Sequence, residues 1–212
     1  MIMATSIVHV IDDDDALRDS LSFLLGTAKL TVKTYESAEA FLAALPDVNS
    51  GCIITDVRMP DMSGVDLLRK LNELRVALPV IVITGHGDVQ LAVEAMKIGA
   101  ADFIEKPFDD EVLLSAVRAA LDRWEGKSRE ISERSRYVEK LETLSSRERD
   151  VLEGLIAGKA NKVIAFDLGI SPRTVEIYRA NVMTKTGANS LPELVRMAML
   201  AGLFKTAVPD KS

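Results

Sequence analysis

Residues 52–57 read CIITDV, a short β-branched run that carries the carboxylate of Asp56 near its end. Four runs of the same kind flank it: IVHVI at 7–11, LTVKTY at 30–35, PVIVIT at 79–84 and ADFIE at 101–105. Each is strand-length and rich in β-branched residues, which predicts five strands. Between them LRDSLSFLLGTA (17–28), AEAFLAAL (38–45), GVDLLRKLNEL (64–74) and VQLAVEAMKIGA (89–100) carry apolar residues at three- and four-residue spacing, as helices covering a sheet do. This alternation predicts an α/β unit built on a doubly wound, five-stranded parallel sheet. Ligands of such a sheet sit beyond the carboxyl ends of its strands, so residues at those ends are the candidates for chemistry.

The 212 residues, 48% hydrophobic and 27% charged, suit two soluble domains of unequal size. No apolar run is long enough to span a membrane, and the start MIMATSIVHVIDDDD lacks the basic region and long apolar stretch of a signal peptide. A cytoplasmic protein without a membrane partner is therefore expected. Cys52 is the single cysteine, and His9 and His86 stand far apart without other soft ligands, which argues against a disulfide or a structural zinc site. The net charge of −6 conceals an asymmetry. Residues 1–125 carry 11 Lys/Arg against 21 Asp/Glu, whereas residues 143–212 carry 10 against 7. An acidic half joined to a mildly basic half points to two different partners.

Asp12, Asp13, Asp14 and Asp15 follow the first predicted strand, and Asp56 ends the third. Thr84 ends the fourth, and Lys106, beside Pro107, follows the fifth. Hard carboxylate oxygens suit magnesium, which takes one or two of them together with water and a phosphate. Carboxylates, a hydroxyl and an ammonium at one sheet edge describe a phosphoryl-transfer site. Asp14 and Asp15 read instead as a helix N-terminus complementing the dipole. A single strand-end Asp is a common turn residue, but matching groups at several separate strand ends are hard to ascribe to turns. Gly85 and Gly87 either relieve steric strain or let the Thr84 loop move.

Over residues 7 to about 122 this constellation resembles the receiver domain of bacterial response regulators. The resemblance implies that Asp56 is the phosphoacceptor, with Thr84 and Lys106 assisting the transfer. It implies Mg2+ as cofactor, held by Asp13 and Asp56 directly, by Asp12 through water, and by the backbone carbonyl of Arg58. It further implies a cis Lys106–Pro107 peptide, Thr84 and Phe103 as the switch pair, and a homodimer formed on phosphorylation through the fourth helix, fifth strand and fifth helix.

A fifth helix is expected from about Asp109, followed by the charged segment EGKSREISERSRYVEKLE with sparse apolar residues Ile131, Val138 and Leu141. Residues 123–142 read as a helical linker, solvated rather than a coiled contact. Beyond it, strand signals vanish. Ser145 and Glu148 form a capping box ahead of VLEGLIAG, Asn161 is a candidate cap for KVIAFDL, Ser171 and Pro172 open a helix closed by Gly187, and Ser190 begins the last. Four helices, the middle pair separated only by Gly169, Ile170 and Ser171, form a helix-turn-helix pattern.

Lys159, Lys162, Arg173, Arg179 and Lys185 cluster around that pattern, opposed only by Asp167 and Glu176 between residues 157 and 189. They are candidate phosphate ligands. Residues 143–212 resemble the LuxR-type output domain, through LSSRERDVLEGLIAGKANKVIAFDLGISPRTVEIYRANVMTKTG. The resemblance places Thr174, Glu176, Ile177 and Ala180 at or near DNA, and makes Glu193 to Leu200 a candidate dimer surface. Val175, Val182 and Met183 read as core.

Two enzyme readings fail on residues. Gly154 to Lys159 has three rather than four residues between its glycines, Ala160 where a nucleotide-binding loop needs Ser or Thr, and a helical context. A haloacid-dehalogenase-like D-x-D-x-[TV] motif is absent from Asp12 to Ala16. The expected organisation is thus a receiver at 1–122, a linker at 123–142 and a helix-turn-helix domain at 143–212. GHGDVQLAVEAMK (85–97) and MTKTGANSL (183–191) resemble the NarL/FixJ family of response regulators. That resemblance implies a sensor histidine kinase of the oxygen-sensing FixL type, promoter DNA and RNA polymerase as partners, with microaerobic and nitrogen-fixation genes as targets. It implies a regulator rather than an enzyme, with at most hydrolysis of its own phosphoryl group. A phosphorelay protein whose C-terminal helices bind another protein is the alternative.

Overall fold

The computed structural model describes residues 7–85 and 89–203, so His86 and Gly87 lie outside the described residues. The chain forms two compact units that divide between Lys127 and Ser128, inside the segment expected to be a linker.

The first unit contains β1 (Ile7–Ile11), α1 (Asp15–Thr27), β2 (Thr31–Tyr35), α2 (Ala38–Ala44), β3 (Cys52–Asp56), α3 (Gly64–Glu73), β4 (Val80–Thr84), α4 (Val89–Ile98), β5 (Asp102–Glu105) and the start of α5 (Asp110–Glu142). All strand pairs are parallel, in the order β2-β1-β3-β4-β5. Because successive side chains of a strand point to opposite faces, the central strands feed two cores. Val8, Val10, Ile54, Ile81 and Ile83 pack with Leu21, Leu113 and Val117 of α1 and α5. Ile11, Ile53 and Val82 pack with Phe41, Leu67 and Ala95 of α2, α3 and α4. Fully covered central strands leave only the strand ends open, which is where a polar site can form. Gly64 fixes one such end, since a Cβ there would lie 2.1 Å from the carbonyl oxygen of Asp56.

The second unit takes up the end of α5 together with α6 (Ser146–Ile156), α7 (Asn161–Leu168), α8 (Pro172–Thr186) and α9 (Leu191–Leu200). Ser145 and Glu148 form the expected capping box, a device worth about 1 kcal/mol. Asn161 is not the cap of α7. Ala160 occupies that position without a side-chain bond, because its carbonyl already accepts from Val163 and Ile164 at 2.8 and 3.1 Å. The expected solvated linker is also corrected in part: Ile131 is exposed, but Leu141 is fully buried in the second core, and Tyr137 and Val138 pack against it. Val175 and Val182 are buried with Leu194 and Met197 in the same core, and Met183 flanks them. Much of the apolar surface of α9 is thereby occupied. Among the described residues, no helix is long and apolar enough to cross a membrane.

Candidate phosphorylation site and nucleic-acid interface

The register of the sheet brings four of the side chains expected at the site to its carboxyl edge. Asp12 follows β1 and Asp56 ends β3, both buried. Asp56 pairs with Ile83 in the sheet, so Thr84, buried and paired with Glu105, stands one residue further along the adjacent strand. The Lys106 amide donates to the Thr84 carbonyl at 2.7 Å, which extends the β4–β5 ladder and delivers the Lys106 side chain to the edge. The Lys106 ammonium donates to Asp56 Oδ1 and, at 3.4 Å, to Asp12 Oδ2. Asp56 Oδ2 accepts from the Arg58 amide at 2.6 Å, and Asp12 Oδ1 accepts from the Asp14 amide at 2.9 Å. The Lys106–Pro107 peptide is cis.

One ammonium therefore faces two buried carboxylates. Burial pushes the Asp12 carboxyl above its ordinary range; the Asp14 amide and Lys106 oppose that shift, and the nearby Asp56 carboxylate adds to it. Additional positive charge would relieve this pair. Among the described residues, no three carboxylate, His or Cys groups form a ready-made metal cage. Magnesium does not require one, because it retains several waters and uses one or two carboxylates with a phosphate, so the donor set fits it. Asp13 is exposed beside Asp12 and is not drawn into the hydrogen-bonded cluster, whereas Arg58 is tied to Asp56 through its amide. Asp14 caps α1 by accepting from the Ala16 and Leu17 amides, and Asp15 lies in its first turn.

Phe103 is half-buried on β5. It borders a cavity of about 510 Å³ together with Gly85, Ala92, Val93 and Met96, and the last two leave nearly half of their surface exposed. The apolar residues of VQLAVEAMKIGA cover all of α4 except the face carrying Gln90, Glu94 and Lys97, so the sequence does not tell which of them border a groove.

In the second unit, α7 and α8 form the helix-turn-helix, with Gly169 left-handed at the turn (φ 66°) and Ser171 capping α8 by accepting from the Thr174 amide. The Thr174 hydroxyl also bonds Ser171 Oγ at 2.8 Å. Glu176, Ile177 and Ala180 are exposed on α8; Lys162 and Arg173 are exposed and Arg179 is half-buried. The other two expected phosphate ligands have partners inside the domain. Lys159 pairs with Asp167 at 2.7 Å, and Lys185 pairs with the buried Glu148 at 2.7 Å. The Lys185 ammonium, and then the Ser145 amide, hold the Glu148 carboxyl below its ordinary range. Sequence reasoning also missed Lys140, which donates to the Thr186 carbonyl, and Phe166, 87% exposed on α7. The signal for Phe166 was present: in KVIAFDL the spacing of Ile164, Ala165 and Leu168, which pack in the core, leaves Phe166 on the outer face.

Residues 8–118 match the response regulator receiver domain, and residues 142–198 match the bacterial regulatory proteins of the luxR family. The chain belongs to the response-regulator family, as a two-component regulator of transcription with a LuxR-type DNA-binding domain rather than an ordinary enzyme. Such a receiver implies a sensor kinase as partner, and receivers generally bind Mg2+ at the phosphorylation site. Transcriptional regulatory protein FixJ of Azorhizobium caulinodans is 61% identical over 196 residues, which cover 92% of this chain and 93% of that one. Among solved structures, full-length FixJ from B. japonicum is 49% identical, covering 96% of this chain and all of that one with a TM-score of 0.60. The response regulator StyR is 36% identical, covers 92% and 99%, and has a TM-score of 0.85.

Proposed function

We propose that this chain receives a phosphoryl group on Asp56 from a FixL-type, oxygen-sensing histidine kinase in the cytoplasm, and then dimerises to activate promoters of microaerobic and nitrogen-fixation genes with RNA polymerase. The observation that carries this reading is the convergence of Asp12, Asp56 and Lys106 through one ammonium. An Asp56 oxygen attacks the phosphorus of phospho-histidine; the P–N bond breaks, and the imidazole leaves with the electron pair and takes up a proton. Lys106 and the Thr84 hydroxyl bind the transferred oxygens. Asp13, Asp56, the Arg58 carbonyl and, through water, Asp12 would hold Mg2+, which supplies charge neutralisation when bound. Water later hydrolyses the acyl phosphate at phosphorus.

Thr84 and Phe103 lie on adjacent strands, and Phe103 borders the groove against α4, so an inward turn of Thr84 toward the phosphoryl group alters the space available to Phe103. The exposed Val93 and Met96 beside that groove support the α4–β5–α5 face as the dimer surface. Lys162, Arg173 and Arg179 are the phosphate ligands this reading favours, with Thr174 near the backbone and Glu176, Ile177 and Ala180 toward base edges in the major groove. A dimer presents two recognition helices and raises affinity without a new contact by either domain. The test is oligomeric mass and duplex binding of the full chain with and without acetyl phosphate and Mg2+. A phosphate-dependent dimer with tighter binding is expected; an unphosphorylated monomer that binds equally well overturns the reading.

A further inference from the structure

The carboxyl end of a helix leaves its last carbonyls without intrahelical partners. In α8 the Met183 carbonyl is satisfied by the Gly187 amide at 2.9 Å, where Gly187 turns left-handed (φ 68°). The Thr186 carbonyl is satisfied from outside the helix-turn-helix: Lys140, half-buried near the end of α5, donates to it at 2.7 Å. The Lys140 ammonium also closes over the turn, since a Cβ on Gly187 would lie 3.2 Å from its Nζ. Lys140 is anchored in turn. Its neighbour Leu141 is 2% exposed in the second core, and its own carbonyl accepts from the Thr143 hydroxyl at 2.6 Å. A cation thus sits at the negative end of the recognition helix, held by a helix that matches no part of the helix-turn-helix pattern.

We propose that Lys140 is a positioning residue for DNA recognition, fixing the end of α8 so that its exposed face meets base edges in one orientation. The inference rests on the reading of α8 as the recognition helix. Base hydrogen bonds depend on helix placement within a fraction of an ångström, whereas phosphate attraction tolerates displacement. Loss of Lys140 should therefore erode discrimination more than attraction. A phosphate ligand would do the opposite.

The experiment uses the full phosphorylated chain and two probes: the duplex that the wild type selects from a randomised pool, and unselected duplex of equal length. Lys140→Met should weaken binding to the selected duplex by roughly tenfold, the scale of one charge-assisted hydrogen bond. It should leave binding to unselected duplex nearly unchanged and the salt slope intact. Lys140→Arg should restore the ratio. Amide exchange at Thr186 and Gly187 should quicken in Lys140→Met without DNA present. Equal loss on both duplexes, with or without a shallower salt slope, overturns the proposal, as does an unchanged ratio. If the wild type selects no duplex at all, the DNA reading itself has failed.

Discussion

The two sites are built in opposite ways. In the receiver, Asp12, Asp56 and Thr84 are buried, and the parallel ladder sets their places around one small pocket. In the output unit most charged groups are exposed on helices, with Glu148 a buried exception, and the same residue type serves two purposes: Lys162 points outward, whereas Lys185 holds Glu148 within the domain. Buried charge is costly unless paired, which leaves few sequences able to build the first site. Exposed charge is nearly free to place, and for that reason its role cannot be read from type and spacing alone.

The largest expected effect tests the first half of this contrast. Asp56→Asn should abolish phosphoryl incorporation from acetyl phosphate, because an amide is a poor nucleophile and a weaker magnesium ligand. Acid-labile, Mg2+-dependent labelling at wild-type level would break the assignment. No single exposed cation of the output unit should show so complete an effect on DNA binding.

A second test compares two glycines. At Gly64 an added Cβ meets the Asp56 carbonyl oxygen at 2.1 Å, a backbone atom of the central strand with nowhere to go. Gly64→Ala should cost about 1–3 kcal/mol in urea unfolding and slow phosphorylation. At Gly154, in α6, the Cβ meets Ile164 Cγ1 at 2.7 Å, a side-chain rather than a backbone atom, although Ile164 is buried and can give way only by shifting within its core. Alanine gains about 1 kcal/mol of helix propensity there, which offsets part of that clash, so Gly154→Ala should cost less than Gly64→Ala. Equal losses at the two positions would remove the distinction between a rigid strand edge and a yielding helix contact.

The difference in construction also explains what was legible. Strand ends announce themselves, because β-branched runs such as IIT at 53–55 give way to a polar residue, Asp56, where β3 reaches the sheet edge. The five strands and the cluster of Asp12, Asp56, Thr84 and Lys106 followed from that rule. Asp13 is exposed beside that cluster, and its expected part, as a ligand of Mg2+, came from the family resemblance rather than from the strand-end rule. Three-dimensional pairing is what sequence hides. Nothing in Lys185 or Glu148 signals that they meet across 37 positions, nor in Lys140 that it reaches Thr186. Leu141 was misread for a related reason: a sparse stripe in a charged helix resembles a solvated one until the core it enters is known. The cap at Asn161 failed by one residue, the ordinary uncertainty of a helix start where several residues could begin the ladder.

Separating the lysines is the third test. Arg173→Ala should shallow the salt dependence of DNA binding by about one unit and leave the unfolding midpoint unchanged. Lys185→Ala should leave the slope unchanged and lower stability by ~1 kcal/mol, the modest figure reflecting a lysine side chain that is 41% exposed. If both variants alter the slope alike, the ion pair with Glu148 opens on DNA and Lys185 is a phosphate ligand after all.

The smallest effect concerns acid and separates the two units by their titrating groups. His9 is 1% exposed at the centre of β1, with Nδ1 3.2 Å from the Tyr35 hydroxyl and Nε2 3.3 Å from the Ser50 carbonyl. A carbonyl only accepts, so Nε2 carries the proton and Nδ1 accepts from Tyr35. Burial pushes the imidazole pKa below its ordinary value; the Ser50 carbonyl opposes the shift, and the Lys33 cation, paired with His9 across the sheet, adds to it. The unfolded chain therefore binds this proton more readily than the folded one. Stability should fall as pH drops below about 6.5 and continue falling until the folded pKa is passed. Glu148 in the other unit has its pKa lowered, so its contribution is present above the ordinary Glu value of about 4.3 and is lost only in stronger acid. Asp12 has its pKa raised, which gives the opposite slope, and the comparison must cancel it. Urea unfolding followed by Trp124, the single tryptophan and part of the first unit, at pH near 7.5 and near 5.5 for wild type and His9→Gln does so, because both chains retain Asp12. The wild type should lose more stability between the two conditions than His9→Gln, whatever the absolute stability of the variant. An identical acid dependence in the two chains would mean that His9 titrates in the folded receiver as it does in the unfolded chain, and that the receiver's buried polar groups are less strictly held than its phosphorylation site implies.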